Sequence, residues 1–209
     1  MAEIRLAESE EERLAVYRFR YSVYVEEMGI DESYADHERK LITDPLDHPQ
    51  AMLLAAWDGE RVVGTLRTNR VCDGGLSRYL EYYRLTDLPQ PFLEETSVST
   101  RTMVAADLRR TTLTARLACE CFKWMLNHGL HTDFCDIFPA VMPFSTGLGY
   151  KLLFDDFYHP EYGLGYVMRL DLYDLEHLVK VRSPLRRTLV KWLEEREKMA
   201  ASLAGSCPK

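Results

Sequence analysis

The 209-residue sequence has none of the short motifs that name a chemistry outright. It contains no GxGxxG after a strand, no Walker-type phosphate loop, no GxSxG elbow and no HExxH. These absences remove the commonest dinucleotide, nucleoside-triphosphate, serine-hydrolase and zinc-peptidase readings. The six histidines (His37, His48, His128, His131, His159, His177) are scattered without ligand spacing, so no metal site is expected. The five cysteines are odd in number and form no CxxC pair, as expected of reduced thiols rather than a disulfide framework. No long apolar run occurs either. The longest, Ala51 to Trp57, is far too short to span a bilayer. The N-terminal stretch MAEIRLAESEEERL is charged from its third residue and has no signal-type apolar core. A cytoplasmic protein without stable membrane insertion is the expectation. A formal net charge of −7 argues against a general nucleic-acid binder, which needs clustered Lys and Arg.

What is present is ordinary globular material, 46% apolar and 28% charged, in a length that suits one well-cored domain. Residues 1–182 are expected to form that domain, with 183–209 a helical extension packed on it. Ile4 to Leu6 reads as a strand, and Ser9 with Glu12 as a capping box opening a helix that runs to about Met28. Ile30 to Pro49 reads as an ordered loop. Ala51–Trp57 and Arg61–Val71 are strands joined by Asp58-Gly59, the strongest hairpin signal in the chain. Asp73-Gly74-Gly75 opens an irregular segment lasting to Phe92. Glu95 to Val104 alternates as a strand and passes into a helix over about Arg109 to His128, with Leu113, Leu117, Cys121 and Met125 on its core face. His131–Phe138 is a strand and Pro143–Gly149 a short helix. Tyr150–Tyr158 and Leu164–Leu172 form a hairpin around a turn at Pro160 to Gly163. Helices over Asp174–Val181 and from Pro184 to about Ser202 close the chain.

This order implies an α/β (α+β) protein with a mixed sheet covered by helices. The order resembles the GNAT acyltransferase superfamily. That resemblance implies a mostly antiparallel mixed sheet with helices on both faces and a C-terminal helix. It also implies a central strand that splays from the next, leaving a gap for an acyl thioester. Four short motifs sharpen the likeness: RYSVYVEEMG from Arg20, DPLD with Asp44 and Asp47, GTLR ending at Arg67, and STRTMV around Arg101. Together they resemble the acyl-homoserine-lactone (autoinducer) synthases, and still more the long-chain N-acyl amino acid synthases, over roughly Val16 to Tyr173. The implied reaction moves an acyl group from acyl carrier protein to the amine of an amino acid or related small amine. The alternatives are a CoA-dependent GNAT N-acetyltransferase and a non-catalytic GNAT-fold ligand-binding module.

Read from the residues alone, Arg20, Arg67, Asp44 and Asp47 can close an ion network, either bracing a loop or orienting a zwitterionic substrate. Arg101 joins them by the resemblance. Tyr24 and Met28 follow Arg20 at four-residue spacing, which suits both core packing and the substrate side. Attack by an amine requires a proton acceptor, and Glu95, entering the central strand, is the nearest plausible base. Autoinducer synthases carry a glutamate three residues before the matching arginine, and here that position is Val98. The place from which many GNAT enzymes protonate the leaving thiolate with a tyrosine is Ser145, which can only donate a hydrogen bond. Met103 and Val104 are expected to offer backbone amides to the thioester carbonyl. The loop Val104 to Thr112 has no glycine, so a tight nest around a CoA pyrophosphate is harder to form. Arg109 and Arg110, with Thr111 and Thr112, would instead suit a phosphopantetheine phosphate and an acidic carrier protein. No tightly bound cofactor is expected, the acyl-phosphopantetheine thioester being a co-substrate on acyl carrier protein or CoA.

Overall fold

The computed structural model describes residues 2–74, 76–159 and 163–205. Its organising feature is a seven-stranded sheet of order β1-β4-β5-β6-β7-β9-β8. The strands are β1 (Glu3–Leu6), β4 (Met52–Asp58), β5 (Arg61–Arg70), β6 (Thr96–Val104), β7 (Thr132–Ile137), β8 (Lys151–His159) and β9 (Gly163–Asp171). All neighbouring pairs are antiparallel except β6 with β7. Two two-residue strands, β2 (Ala35–Asp36) and β3 (Leu41–Ile42), make a separate ribbon. β4 and β5 are buried along nearly their whole length because helices cover both faces of the sheet there; β4 is almost continuously apolar, whereas β5 also buries Thr65, Arg67, Thr68 and Asn69.

The helix α1 (Glu10–Tyr21) begins at the capping box read from the sequence. The Ser9 hydroxyl accepts from the Glu12 amide and the Glu12 carboxylate accepts from the Ser9 amide. The helix does not run on regularly to Met28. Ser22 to Glu27 form a π-helical turn, and wide turns of this kind collect at functional sites. α4 (Leu113–Asn127) buries Leu113, Leu117, Cys121 and Met125 as its spacing requires. It starts at Leu113 rather than at Arg109. Ala106 to Leu108 form a 3₁₀ turn, and the Thr111 hydroxyl takes up the Leu113 amide while donating to the Leu108 carbonyl. Arg109 and Arg110 therefore stand in the loop before the helix. α5 (Met142–Leu148) ends at Gly149, whose φ of +114° and contact with Leu178 leave no room for a Cβ.

The segment read as irregular before β6 holds two short helices, α2 (Ser77–Tyr82) and α3 (Gln90–Glu94). Tyr79 and Tyr82 of α2, with Tyr83 just after it, form a second core with Val98, Phe134 and Phe157 beneath the sheet. α6 (Leu175–Lys180) and α7 (Leu185–Gly205) complete the fold, and α7 buries Leu185 and Leu189 in the main core beside α4. The turn read at Pro160-Glu161-Tyr162, together with Gly75 and Cys207, lies outside the described residues.

Candidate active site

The sheet opens at its centre. β6 pairs with β7 only through Val98, opposite Phe134. Beyond it, β6 continues along β5 to Val104 and β7 along β9 to Ile137, so their far halves diverge. At the same point β6 bulges. Thr65 faces Met103 and Arg67 faces Thr100, leaving Arg101 and Thr102 opposite Leu66 alone. Arg101 takes the bulge with φ +55°, a costly conformation for a side chain this size.

On one side of the gap lies the ion network. Arg20 Nη1 donates to both oxygens of Asp47 at 2.9 and 2.8 Å. Arg67 Nη1 reaches Asp44 at 2.6 Å and Asp47 at 2.9 Å, and its Nε donates to the Thr100 hydroxyl. Arg101 grips Asp44 through Nε and Nη2 and Glu32 through Nη1 at 2.7 Å. Three arginines and three carboxylates thus balance in charge, with every side chain at most 7% exposed. The Asp47 carboxylate also accepts the Asp44 amide, closing the DPLD turn on itself. Burial works to raise both aspartates. The surrounding guanidiniums overcome it and hold Asp44 well below the usual carboxylate range and Asp47 below it.

A cavity of ≈ 260 Å³ runs through the gap. Its polar end is formed by Tyr24, Glu32, Tyr79, Arg101, Asp136 and His159. Its apolar end reaches under α4 to Ala118, Phe122, Met125, Leu148, Leu170 and Leu185. Tyr24, carried by the π-helical turn, lies 5.1 Å beneath the Arg101 guanidinium. Where the strands part, two carboxyls sit on β7, Asp133 fully buried and Asp136 partly so. Asp133 accepts from Ser97, Ser99 and Tyr150, yet burial pushes it up to about 7 against those hydrogen bonds. Asp136 accepts from the Tyr83 phenol and is pushed up to about 6 by burial, opposed by that bond.

Asp133 has a consequence for stability. Its folded-state value lies above the ordinary 3.8, so the fold favours its neutral form. That contribution is complete below about pH 4 and is lost as pH rises towards 7. Asp133→Asn should flatten this part of the stability curve and leave the variant relatively more stable at pH 8 than at pH 4. Denaturant melts across that range check it.

The residues expected at the site divide sharply. Arg20, Asp44, Asp47, Arg67 and Arg101 come together in one network, with Tyr24 at its edge and Ser145, on α5, buried in the cavity wall. Met28 does not join them. The i→i+5 turn spoils the four-residue spacing from Arg20 and leaves it 46% exposed. Glu95 caps the C-terminal end of α3, at the opposite end of β6 from the bulge, about 20 Å of strand from Arg101. Its half-exposed carboxylate pairs with His131 at 3.2 Å. Met103 and Val104 are buried, but the cavity meets β6 at Ser99 to Thr102. Arg109 is held in a bidentate pair by Glu27 and bonds the Val104 carbonyl, while Arg110, Thr111 and Thr112 are exposed. Glu32, Tyr79, Tyr83 and Asp136 were not read from the sequence. The one signal was a pair of aspartates, Asp133 and Asp136, inside a strand that has to be central.

A central strand parted from its neighbour, bulged at the gap and opening into an apolar cavity, gives the architecture of a GNAT-like acyltransferase. Solved structures bear out the fold. The chain is similar to the CoA-dependent acyl-homoserine lactone synthase BjaI solved with MTA, at 18% identity and TM-score 0.67, covering 88% of this chain and 90% of that one. FeeM, an N-acyl amino acid synthase from uncultured soil microbes, aligns at 14% identity and TM-score 0.63 over 90% and 97%. ElaA of Escherichia coli aligns at 17% and 0.59 over 82% and 100%. No curated protein sequence matches the chain. The family model described as N-acyl amino acid synthase FeeM matches residues 15–148, well over half of the sequence. The chain belongs to that family, and it is an acyltransferase.

Proposed function

We propose that the protein transfers a long acyl chain from acyl carrier protein to the amine of an amino acid. The observation that carries this reading is the two-ended cavity. A charged pole at Arg101 and Glu32 suits a zwitterionic acceptor, and an apolar pole at Phe122, Met125 and Leu185 suits a hydrocarbon tail. Between them the parted strands leave unpaired backbone beside the bulge, where a thioester arm can lie and an oxyanion can find donors. The Arg20–Asp47–Arg67–Asp44 network anchors Arg101 from behind. Ser145 faces the cavity where it can donate a hydrogen bond to the departing thiolate.

The loop before α4 supports a carrier-borne donor. The Leu108 and Thr111 amides are spent on the Ala105 and Leu108 carbonyls, and the Leu113 amide on Thr111. Fewer amides remain to wrap a pyrophosphate than in a glycine-containing nest. Exposed Arg110, with Arg187 and Lys191 on α7, offers charge to an acidic partner.

Purified protein supplied with long-chain acyl-carrier protein and a mixture of amino acids should form N-acyl amino acids detectable by mass spectrometry. Equimolar acyl-CoA should give a lower rate. No N-acyl product from either donor would remove the reading, and a higher rate from acyl-CoA would replace the donor.

A further inference from the structure

The transfer reaction needs a proton acceptor, and Glu95 stands at the wrong end of β6 to serve. We propose that Asp136 is the general base for the acceptor amine, with Tyr83 its positioning residue. The proposal rests on the acyl-transfer reading above. Asp136 lies two residues beyond the last β6–β7 pair, so its carboxyl stands at the mouth of the gap. Strand alternation puts it on the face of Phe134, against which Tyr83 stacks, and away from Asp133 and Cys135. The Tyr83 phenol donates to Oδ1 and fixes the carboxyl's orientation. On the same side Arg101, which feels the Asp136 charge, and Tyr79 complete the polar end of the cavity.

The other ionisable groups in the cavity are poorer acceptors. Glu32 is the second carboxylate there, but Arg101 holds it in an ion pair. No described cation comes within ion-pair distance of Asp136. The Cys121, Cys135, Tyr79 and Tyr150 groups are all pushed up by burial, so at neutral pH they hold their protons. His159 lines the cavity against the Tyr82 and Phe157 rings and is the residue an experiment has to separate from Asp136. Burial leaves Asp136 ionised at neutral pH yet more basic than an exposed carboxylate, the range in which a general base is effective.

The step balances as RNH3+ + R′CO–SR″ → R′CO–NHR + R″SH + H+. The ammonium gives one proton to Asp136, and the freed lone pair attacks the carbonyl carbon to form the C–N bond. Collapse breaks the C–S bond, and the thiolate leaves with the electron pair. The second nitrogen proton goes to that thiolate, and Asp136 returns its own proton to solvent.

The test is kcat/KM for the amino acid from pH 5 to 9, at saturating acyl-carrier protein, in the wild type and three variants. Asp136→Asn should lose at least about 100-fold and lack the acidic limb near pH 6. His159→Gln should keep that limb. Tyr83→Phe removes a hydrogen bond that favours the carboxylate, so its limb should move to higher pH. This shift decides the matter even where Asp136→Asn does not fold. Folded Asp136→Asn with the wild-type limb and rate would overturn the proposal, as would loss of the limb in His159→Gln or an unmoved limb in Tyr83→Phe. Wild-type protein that makes N-acyl product while Asp136→Asn matches it sinks the base alone. Absence of product from the wild type sinks the acyl-transfer reading and the base together.

Discussion

Arg67→Met is expected to cost about 3–5 kcal/mol in equilibrium denaturation. Arg67 is wholly buried on β5 and joins the two halves of the network, touching Asp44, Asp47 and Thr100 at once. Its removal leaves three buried carboxylates facing two arginines, with Asp47 held by Arg20 alone and Asp44 by Arg101, which Glu32 shares. The double variant Arg67→Met/Asp44→Asn should recover part of the loss, because it restores the balance of charge. The acid limb of stability gives a second reading. Asp44 and Asp47 have folded-state values depressed below the ordinary 3.8. Their contribution is complete above about pH 4 and disappears as pH falls below it. Arg67→Met should make that decline shallower. A variant as stable as the wild type would show that the network does not hold the DPLD loop.

With the acyl tail placed as proposed, Ala118→Trp should shift the donor preference from long chains to short ones. Ala118 lies on α4 where the cavity passes from the gap into the apolar core, ahead of Phe122 and Met125. An indole there fills the passage. Each methylene shut out forfeits about 0.8 kcal/mol, so six of them amount to roughly 5 kcal/mol, or about three- to five-thousandfold in kcat/KM. Donors of about four carbons should stay within a few-fold of wild type, since their tails stop short of the obstruction. The checks are kcat/KM against donor chain length and a thermal melt of the variant. Equal losses at every length would place the tail elsewhere.

Much of the fold was legible because it is written in local signals. The Ser9 capping box, the Asp58-Gly59 hairpin, the Leu113–Met125 stripe and the Gly149 stop each act within a few residues, and each element formed where its signal stood. The network was legible by resemblance in its members, but not in its geometry. Glu32 completes it from a loop whose position depends on the fold of the whole domain. The π-helical turn left no mark in the apolar spacing, so Met28 was assigned to a face it does not share. Glu95 failed because alternation along a strand gives its face and not which end of the strand the cavity meets. Asp136 stayed hidden because its importance depends on β7 leaving β6 after Phe134, a long-range event.

The central claim is that the gap between β6 and β7 receives the acyl thioester and sends its tail beneath α4. A crystal structure with a non-hydrolysable long-chain acyl-phosphopantetheine analogue tests it most directly. The expected density has the carbonyl carbon between the Arg101–Thr102 bulge and Asp136, and the tail passing Ala118 towards Met125 and Leu185. Density with the gap empty and the chain lying on the outer surface of the sheet would contradict it.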